Sequence, residues 1–531
     1  MNHITTGIRN AIIISTILLG LPMKSQTLFQ RMYGFSATSY LKEIIPLNNP
    51  GSPSPEFLLC GTLVANGIYM MKTDAGGQML WAKGINNSAE NYPLSFQKCD
   101  DGGIIMCGYI RDSNFNWDVF LLRTDSLANV LWSAAYGGGS NDVGSFARQT
   151  SDGGFIVCGN TLIGSQHVRQ FLMKTDSQGL VQWTKTYSDT GSSTIADAKH
   201  VIELSDGYVF CGRNQVVNSP GTNFDGTIFK TDLLGNLLWS KSYGFAEWDQ
   251  FNQLLPTADG GFAVCGWVDT IAGGNVRDML LAKFDSVGNF QWAKAYGGPG
   301  DDLGYTFDLI GDQFIIGGKS TSFTAGQPDF FAVRTYSTGT YRWSWTYGST
   351  NDEELFTCHP VLPDGYVFGG TTLSFGVASH RSYFIKTNGI GYSGCNGTEP
   401  ATQNYDLTLP LVMDAFIQFN DTLHGYSISS TTSVAGVSTN FLCTNTSVLE
   451  DLANYSIEVF PNPFSEQIQI DIYSERFGKL KVRLYDVLGN MIQEFDLTGG
   501  RNNLNLDVVR GIYTLTILSE SGREVRKIVK Q

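Results

Sequence analysis

One aromatic position returns at a nearly fixed interval through most of this 531-residue chain. Trp81, Trp132, Trp183, Trp239, Trp292 and Trp343 are separated by 51, 51, 56, 53 and 51 residues. Phe29 stands 52 residues before Trp81 in the same setting, Leu28-Phe29-Gln30-Arg31-Met32-Tyr33-Gly34. Self-similarity of this kind belongs to arrays in which each unit buries its apolar face against the next.

The clearest copies read DVFLLRTDSLANVLWSAAYGG from Asp118 and DMLLAKFDSVGNFQWAKAYGG from Asp278. A second piece follows each copy, as in TSDGGFIVCG at Thr150 and TADGGFAVCG at Thr257. Each unit reads as four short strands. Its Asp-Gly pair (Asp101-Gly102, Asp152-Gly153, Asp206-Gly207, Asp259-Gly260, Asp364-Gly365) predicts a tight hairpin, because glycine accepts the positive φ required there. Four strands per unit of this length is the pattern of a β-propeller blade. The FLLRTD-type strand occurs seven times, from Ile68 to Tyr383, and the Trp-type strand seven times if Phe29 is counted. The chain begins with a lone Trp-type strand and ends the array with a lone FLLRTD-type strand. The two should share one blade and close the ring. An open solenoid is the rival architecture, but its units usually run roughly 20–45 residues.

The repeat resembles the β-propeller repeats of secreted bacterial proteins and is distantly similar to the tryptophan-docking repeats of quinoprotein propellers. The resemblance implies that the six in-register tryptophans pack blade on blade. Trp117, Trp248, Trp267 and Trp345 fall outside that register. Trp117, Trp248 and Trp345 are therefore the candidate ligand aromatics, expected together on one rim.

Five of the nine cysteines, Cys60, Cys107, Cys158, Cys211 and Cys265, sit just before a glycine in the FIVCG-type strand. Neighbouring blades are on the order of 10 Å apart there, beyond the ~7 Å Cα limit for a disulfide, so these read as small core residues. Cys99 and Cys358 are expected to be unpaired, and Cys395 and Cys443 to be bonded to each other.

At the N-terminus, Arg9 and the apolar run Ala11–Leu21 have the form of an export signal, with cleavage expected after Ser25. No later stretch is long and apolar enough to predict a transmembrane segment in the mature chain. Residues 26–388 then form the propeller. Residues 389–454, rich in Ser, Thr and Asn, read as a linker or small β-module, with Leu407–Leu411 and Phe416–Phe419 as short strands.

Residues 455–531 have neither Trp nor Cys and carry ten basic and ten acidic residues, so the net charge of −14 lies upstream. Strictly alternating strands such as Gln467–Tyr473 and Lys479–Tyr485 predict a small Ig-like sandwich. The predicted fold class is all-β, a seven-bladed β-propeller followed by that sandwich. Four motifs stand here in order: Tyr455–Phe464 with Pro461-Asn462-Pro463-Phe464, Leu484–Asn490 with Tyr485, Asp486, Gly489 and Asn490, Gly511–Leu515 with Tyr513, and Lys527–Lys530. In them the domain resembles the type A C-terminal sorting domain of the type IX secretion system of Bacteroidota. The resemblance implies recognition by the outer-membrane translocon, then release or attachment at the cell surface.

An acidic chain without a basic stripe disfavours nucleic acid. The scattered histidines show no HExxH or paired spacing, and Gly-x-Ser-x-Gly does not occur. No catalytic residue and no cofactor is assigned. Asp112-Ser-Asn114-Phe-Asn116-Trp-Asp118 faintly resembles an alternating-oxygen calcium loop but lacks the Gly and distal Glu of an EF-hand. The leading expectation is an exported, non-catalytic module that binds a glycan or protein. The alternatives are a propeller-scaffolded polysaccharide-degrading enzyme, needing a suitably spaced carboxylate pair, and a structural surface-layer spacer.

Overall fold

A computed structural model describes most of residues 28–530. Residues 1–27 and 446–455 lie outside it, as do short stretches that include 461–463, 474–479 and 486–490. The expected export signal therefore falls outside the described residues. Among the described residues every regular element is a strand, and no helix is long and apolar enough to cross a membrane. The chain divides into two compact units, one of residues Thr27–Val448 and one built on Leu449–Gln531.

The first unit is a seven-bladed propeller of antiparallel sheets. In blade 3 the strands run outward as Asp142–Gln149, Phe155–Ile163, His167–Thr175 and Val181–Asp189. The ring closes as expected. Leu28–Gly34 is the fourth strand of blade 7, with Phe29 opposite Lys386 and Tyr33 opposite Ser382.

Each Trp-type strand grips the turn between the third and fourth strands of the next blade. The Trp239 ring lies where a Cβ on Gly288 would stand, 2.6 Å away, and the Tyr243 hydroxyl donates to Gly288 O at 2.8 Å. Trp183 and Tyr187 hold Gly235 in the same way, and Phe29 with Tyr33 holds Gly77, so Phe29 does the work of a tryptophan. These glycines have φ near +75° (Gly77 +74°, Gly235 +75°, Gly288 +75°), a backbone that L side chains rarely adopt. Within a blade, the Asp of the Asp-Gly pair meets the buried basic residue of the third strand. Lys174–Asp152 and Lys283–Asp259 are both 2.9 Å, and Arg123–Asp101 is 2.5 Å. In blades 2, 3 and 5 the Asp-Gly loop is one residue longer than a two-residue turn. Cys99 N donates to Gly103 O and Gly102 N to Cys99 O, with Gly102 at φ +82°.

The segment expected as a linker or small β-module is neither a free tether nor a local hairpin. After blade 7 the chain reverses and adds one outer strand to every blade in turn. Gly397–Thr398 pairs with blade 6, Gln403–Leu407 with blade 5, Leu411–Met413 with blade 4 and Phe416–Asp421 with blade 3. His424–Ser427, Ser430–Val434 and Ser438–Asn445 follow on blades 2, 1 and 7. All seven pair antiparallel to the fourth strand. The physical reason is the open edge. A fourth strand presents unpaired N–H and C=O groups to solvent, and this belt satisfies them. Its last strand lies against Leu28–Gly34, so the N-terminal strand is held on both sides.

The second unit is two antiparallel sheets. One has three strands, Ser456–Phe460, Gln467–Tyr473 and Gly500–Asn505. The other has four, Met491–Leu497, Leu480–Tyr485, Gly511–Leu518 and Arg523–Lys530. Ile468, Ile470, Val482, Leu484, Leu515 and Ile528 are among its buried apolar residues.

Candidate binding site: the axial channel

Every inner strand carries a β-bulge at the same place. The register against the second strand slips between Leu41 and Glu43, Pro93 and Ser95, Gly144 and Phe146, and Ala198 and His200. It slips likewise between Phe251 and Gln253, Gly304 and Thr306, and Leu355 and Thr357. A bulge leaves one residue unpaired and re-aims its side chain. The seven unpaired residues are Lys42, Leu94, Ser145 and Lys199 in blades 1–4 and Asn252, Tyr305 and Phe356 in blades 5–7. All seven line one cavity of about 290 Å³ that takes residues from every inner strand, the axial channel. The residue after each bulge lies opposite the Cys or Gly of the second strand, as Glu43 does Cys60 and His200 does Cys211. Where the second strand has glycine, a Cβ would stand 2.5 Å from the next blade's inner strand, at Leu355 for Gly317 and at Ile44 for Gly369, so the side chain there must be small. Cys60, Cys99, Cys107, Cys158, Cys211, Cys265 and Cys358 are buried and free.

On the wall formed by blades 6, 7 and 1 the polar groups satisfy each other. His359 stands between two carboxylates, with Nε2 2.9 Å from Glu43 Oε1 and Nδ1 2.8 Å from Asp308 Oδ2. Burial works against its charge, but hydrogen bonds to Asp308 and Glu43 outweigh that and raise it to about 10. It is an imidazolium at neutral pH. Above it the Lys42 ammonium lies 3.6 Å from the centroid of Phe356, and Phe356 stacks on Tyr305 at 6.3 Å. Burial brings Lys42 down to about 8. On the wall of blades 3 and 4, Arg148 and Lys199 flank His200, which lies 4.0 Å from Phe146, centroid to centroid. Burial, then the nearby Arg148 charge, drives His200 well below the ordinary histidine range, so it is neutral.

The sequence-based aromatics divide between sites. Trp117 opens the third strand of blade 2 and Trp248 precedes the inner strand of blade 5. Antiparallel order places both at the same rim, two to three blades apart. Trp248 is 46% exposed, with Phe224 5.2 Å away. Trp117 packs edge-on to Tyr92 and Tyr109 at 5.6 and 4.9 Å, with Arg111 at 5.3 Å. Beside it Phe115, at φ +67°, is 73% exposed. Trp345 is not on that rim. It lies mid-strand against the Asn388–Tyr392 turn, with Nε1 donating to Ile390 O at 2.8 Å. In the loop read for calcium, the Asp112 Oδ1 accepts Asn114 N at 2.8 Å and Asn116 N at 2.7 Å. Those two main-chain N–H groups engage Oδ1 in a turn. Asp142, Asp249 and Asp302, which open the inner strands of blades 3, 5 and 6, are buried outside the channel lining, and burial pushes Asp302 up to about 6.

Cys395 is disulfide-bonded, and its carbonyl accepts the Gln30 amide. Gln30 is also opposite Cys443 in the strand register. The Cys443 side chain lies outside the described residues.

In the second unit, Phe464 is buried and its N–H donates to Val529 O at 2.9 Å. Lys530 covers the Phe464 ring at 5.7 Å and donates to Leu506 O at 3.0 Å. The Tyr513 hydroxyl donates to Val509 O at 2.7 Å, Gly511 lies opposite Lys530, and Tyr485 opposite Thr514. The first and last motifs thus close on one another. Pro461, Asn462, Pro463, Asp486, Gly489, Asn490 and the Lys527 side chain lie outside the described residues.

The bulge ring had no sequence motif. Its only signal is that one position of an otherwise regular repeat takes six residue types in seven copies.

Residues 458–531 match the family model described as "Secretion system C-terminal sorting domain". No curated protein matches the chain. Among solved structures, one titled "Biofilm associated protein - BSP domain" is similar at 10% identity, covering 93% of this chain and 96% of its own, with a TM-score of 0.13. At that score the likeness carries no argument about fold or function. The chain thus ends in a type IX secretion sorting domain, which marks its seven-bladed β-propeller for export to the cell surface or the medium.

Proposed function

We propose that the propeller is a non-catalytic recognition module that works outside the cell and receives a glycan or protein group in its axial channel. The observation that carries this reading is the bulge ring. The residues that build the scaffold, the Trp, the turn glycine and the Asp-Lys pair, recur from blade to blade. The residues that the bulges aim at the axis do not, and Lys, Leu, Ser, Asn, Tyr and Phe all occur there. A scaffold that repeats around a lining that varies is what one asymmetric ligand requires. The rim cluster of Tyr92, Tyr109, Phe115 and Trp117 adjoins the channel through Leu94, two residues from Tyr92, and supplies aromatic faces for adhesion.

The enzyme reading is disfavoured at this site. Glu43 and Asp308 hydrogen-bond to the same imidazolium, so neither is free as a general acid or nucleophile. The spacer reading leaves the varied lining without a purpose. The test is a glycan and peptide array probed with the full chain and with Leu94→Gln and Ser145→Leu variants. We expect hits whose pattern changes with the variants at unchanged melting temperature. A flat array, or hits indifferent to both substitutions, overturns the proposal. Delivery is tested separately: deleting residues 455–531 should leave the protein in the periplasm, and normal surface display would refute dependence on the sorting domain.

A further inference from the structure

The channel of this acidic protein is lined by surplus positive charge. The chain carries a formal net charge of −14. Its axial cavity nevertheless presents Lys42, Arg148, Lys199 and the His359 imidazolium against two acids, Glu43 and Asp308. Both acids are engaged by His359. Lys199 is 3.7 Å from Asp197, but that carboxylate is held more closely by Arg213 at 2.8 Å. Lys42 rests on the Phe356 face, and the acid whose charge it feels, Glu354, is held by Lys319 at 2.9 Å. The Arg148 guanidinium makes no hydrogen bond or ion pair among the described residues, and burial lowers its pKa. The acid whose charge it feels, Glu203, is turned to Ser151, accepting its N–H at 2.7 Å and its hydroxyl at 3.0 Å.

An uncompensated cation in a low-dielectric wall is unfavourable unless a counter-charge arrives, and a concave site of one sign focuses the field on such a charge. A guanidinium presents a planar fork that fits two oxygens of one anion. Ser95 Oγ accepts Ala147 N at 3.3 Å, which leaves its own hydroxyl proton to donate into the same cavity. At about 290 Å³ the cavity sits at the lower end of ligand pockets, roughly 300–1,000 Å³, which suits a body the size of one or two sugar rings.

We propose that Arg148 and Lys199, with Lys42 from blade 1, bind the carboxylate, sulfate or phosphate group of a sugar-sized anion in the axial channel. The proposal rests on the channel being the recognition site and names the ligand chemistry that the site selects.

The experiment is calorimetric titration of the full chain at low ionic strength with glucuronate, inorganic sulfate and inorganic phosphate, and with glucose as the neutral control. We expect one saturable anion site and no binding of glucose. Arg148→Met should weaken the anion at least tenfold, with a melting temperature unchanged or raised when no anion is present. Lys199→Gln should weaken it several-fold and serves if Arg148→Met fails to fold. Lys72→Gln, which breaks the surface pair with Glu56, should change nothing. Glucuronate binding tenfold tighter than the inorganic ions identifies an acidic sugar, and equal affinities identify a free anion. Either result supports the shared chemistry. No saturable binding by wild type, or undiminished binding by a folded Arg148→Met, overturns the proposal. Array hits on neutral glycans that respond to Leu94→Gln, with no anion binding, remove the anion and leave the recognition module standing.

Discussion

At the scale of single residues, the propeller depends on positions where a side chain must be missing. Gly288 has φ +75°, and a Cβ there would stand 2.6 Å from Trp239. Gly288→Ala adds roughly 1–2 kcal/mol of left-handed strain to the displacement of a packed indole, about 2–4 kcal/mol in all. Urea denaturation of the full chain should show that loss, and a variant as stable as wild type would refute the lock. Blade 2 supplies the internal control. There Ala128 holds the matching turn at φ +61°, in the cluster that Trp81 packs against. Ala128→Gly should change stability by less than ~1 kcal/mol, because relief of strain is offset by a freer unfolded chain. His359 gives a pH signature instead. Its folded pKa of about 10 lies above the unfolded value, so its stabilisation is complete below roughly pH 6.5 and is lost as pH rises toward 10. Lys42, lowered to about 8, works in the opposite sense over roughly pH 8–10.5. The measurement is therefore a difference. His359→Gln should cost about 1–3 kcal/mol at pH 6 and little at pH 10, since one partner of a part-buried pair is removed. A difference independent of pH would show that His359 is not the bridging cation.

At the scale of elements, what could be read from the sequence is what recurs in side chains. The Trp, the Tyr that follows it, the turn glycine and the Asp-Gly pair each contact another repeated residue, so most blades spell them again. Phe29 marked the closing strand for the same reason. The belt was not legible as a belt because a fifth strand needs only its main chain. Gly397–Thr398, Ser430–Val434 and Ser438–Asn445 share no side-chain pattern, and each finds its partner by open N–H and C=O groups. The channel was hidden by the reverse effect, since the bulge residues are where the repeat breaks. Trp345 was out of register for a structural reason, because it lies against the turn where the chain reverses. That turn is where a covalent tie belongs. If Cys395 is bonded to Cys443, the disulfide joins the two ends of the belt and closes a loop on the order of 50 residues around the ring. Such a tie contributes roughly 3–4 kcal/mol in the chain-entropy model. Cys395→Ser and Cys443→Ser should then lower the melting temperature equally, with no further loss in the double variant. A Cys443→Ser chain in which Cys395 stays oxidised would show a different partner.

At the scale of the whole molecule, the belt changes what counts as the propeller. A ring closed only by Leu28–Gly34 would keep nearly all of its cores, because the inter-blade clusters are built from the four inner strands, and among the described residues the belt adds Leu409, with Leu407 beside it, to the cluster of blades 4 and 5. It would still expose seven outer edges, each a template for pairing with another chain. It would also hold its closing strand from one side. With the belt, Leu28–Gly34 is paired to Arg381–Thr387 and to Ser438–Asn445, so the ring cannot open at the seam without breaking two ladders. The compact unit accordingly runs from Thr27 to Val448 and not to the end of the last repeat. Two truncations separate these accounts. Residues 27–448 should be monomeric and unfold in one cooperative transition. Residues 27–388 should associate through the bare edges, elute as oligomers or aggregates, and lose protection from amide exchange first in Leu28–Gly34. The contrast chiefly reads edge protection, since the shorter piece keeps every blade core apart from Leu409 and Leu407 at blades 4 and 5. If the shorter piece is monomeric and as stable as the longer one, the fourth strands protect their own edges and the belt is dispensable. If it fails as expected, an exported propeller of this type is complete only when the residues just ahead of its sorting domain have wrapped it.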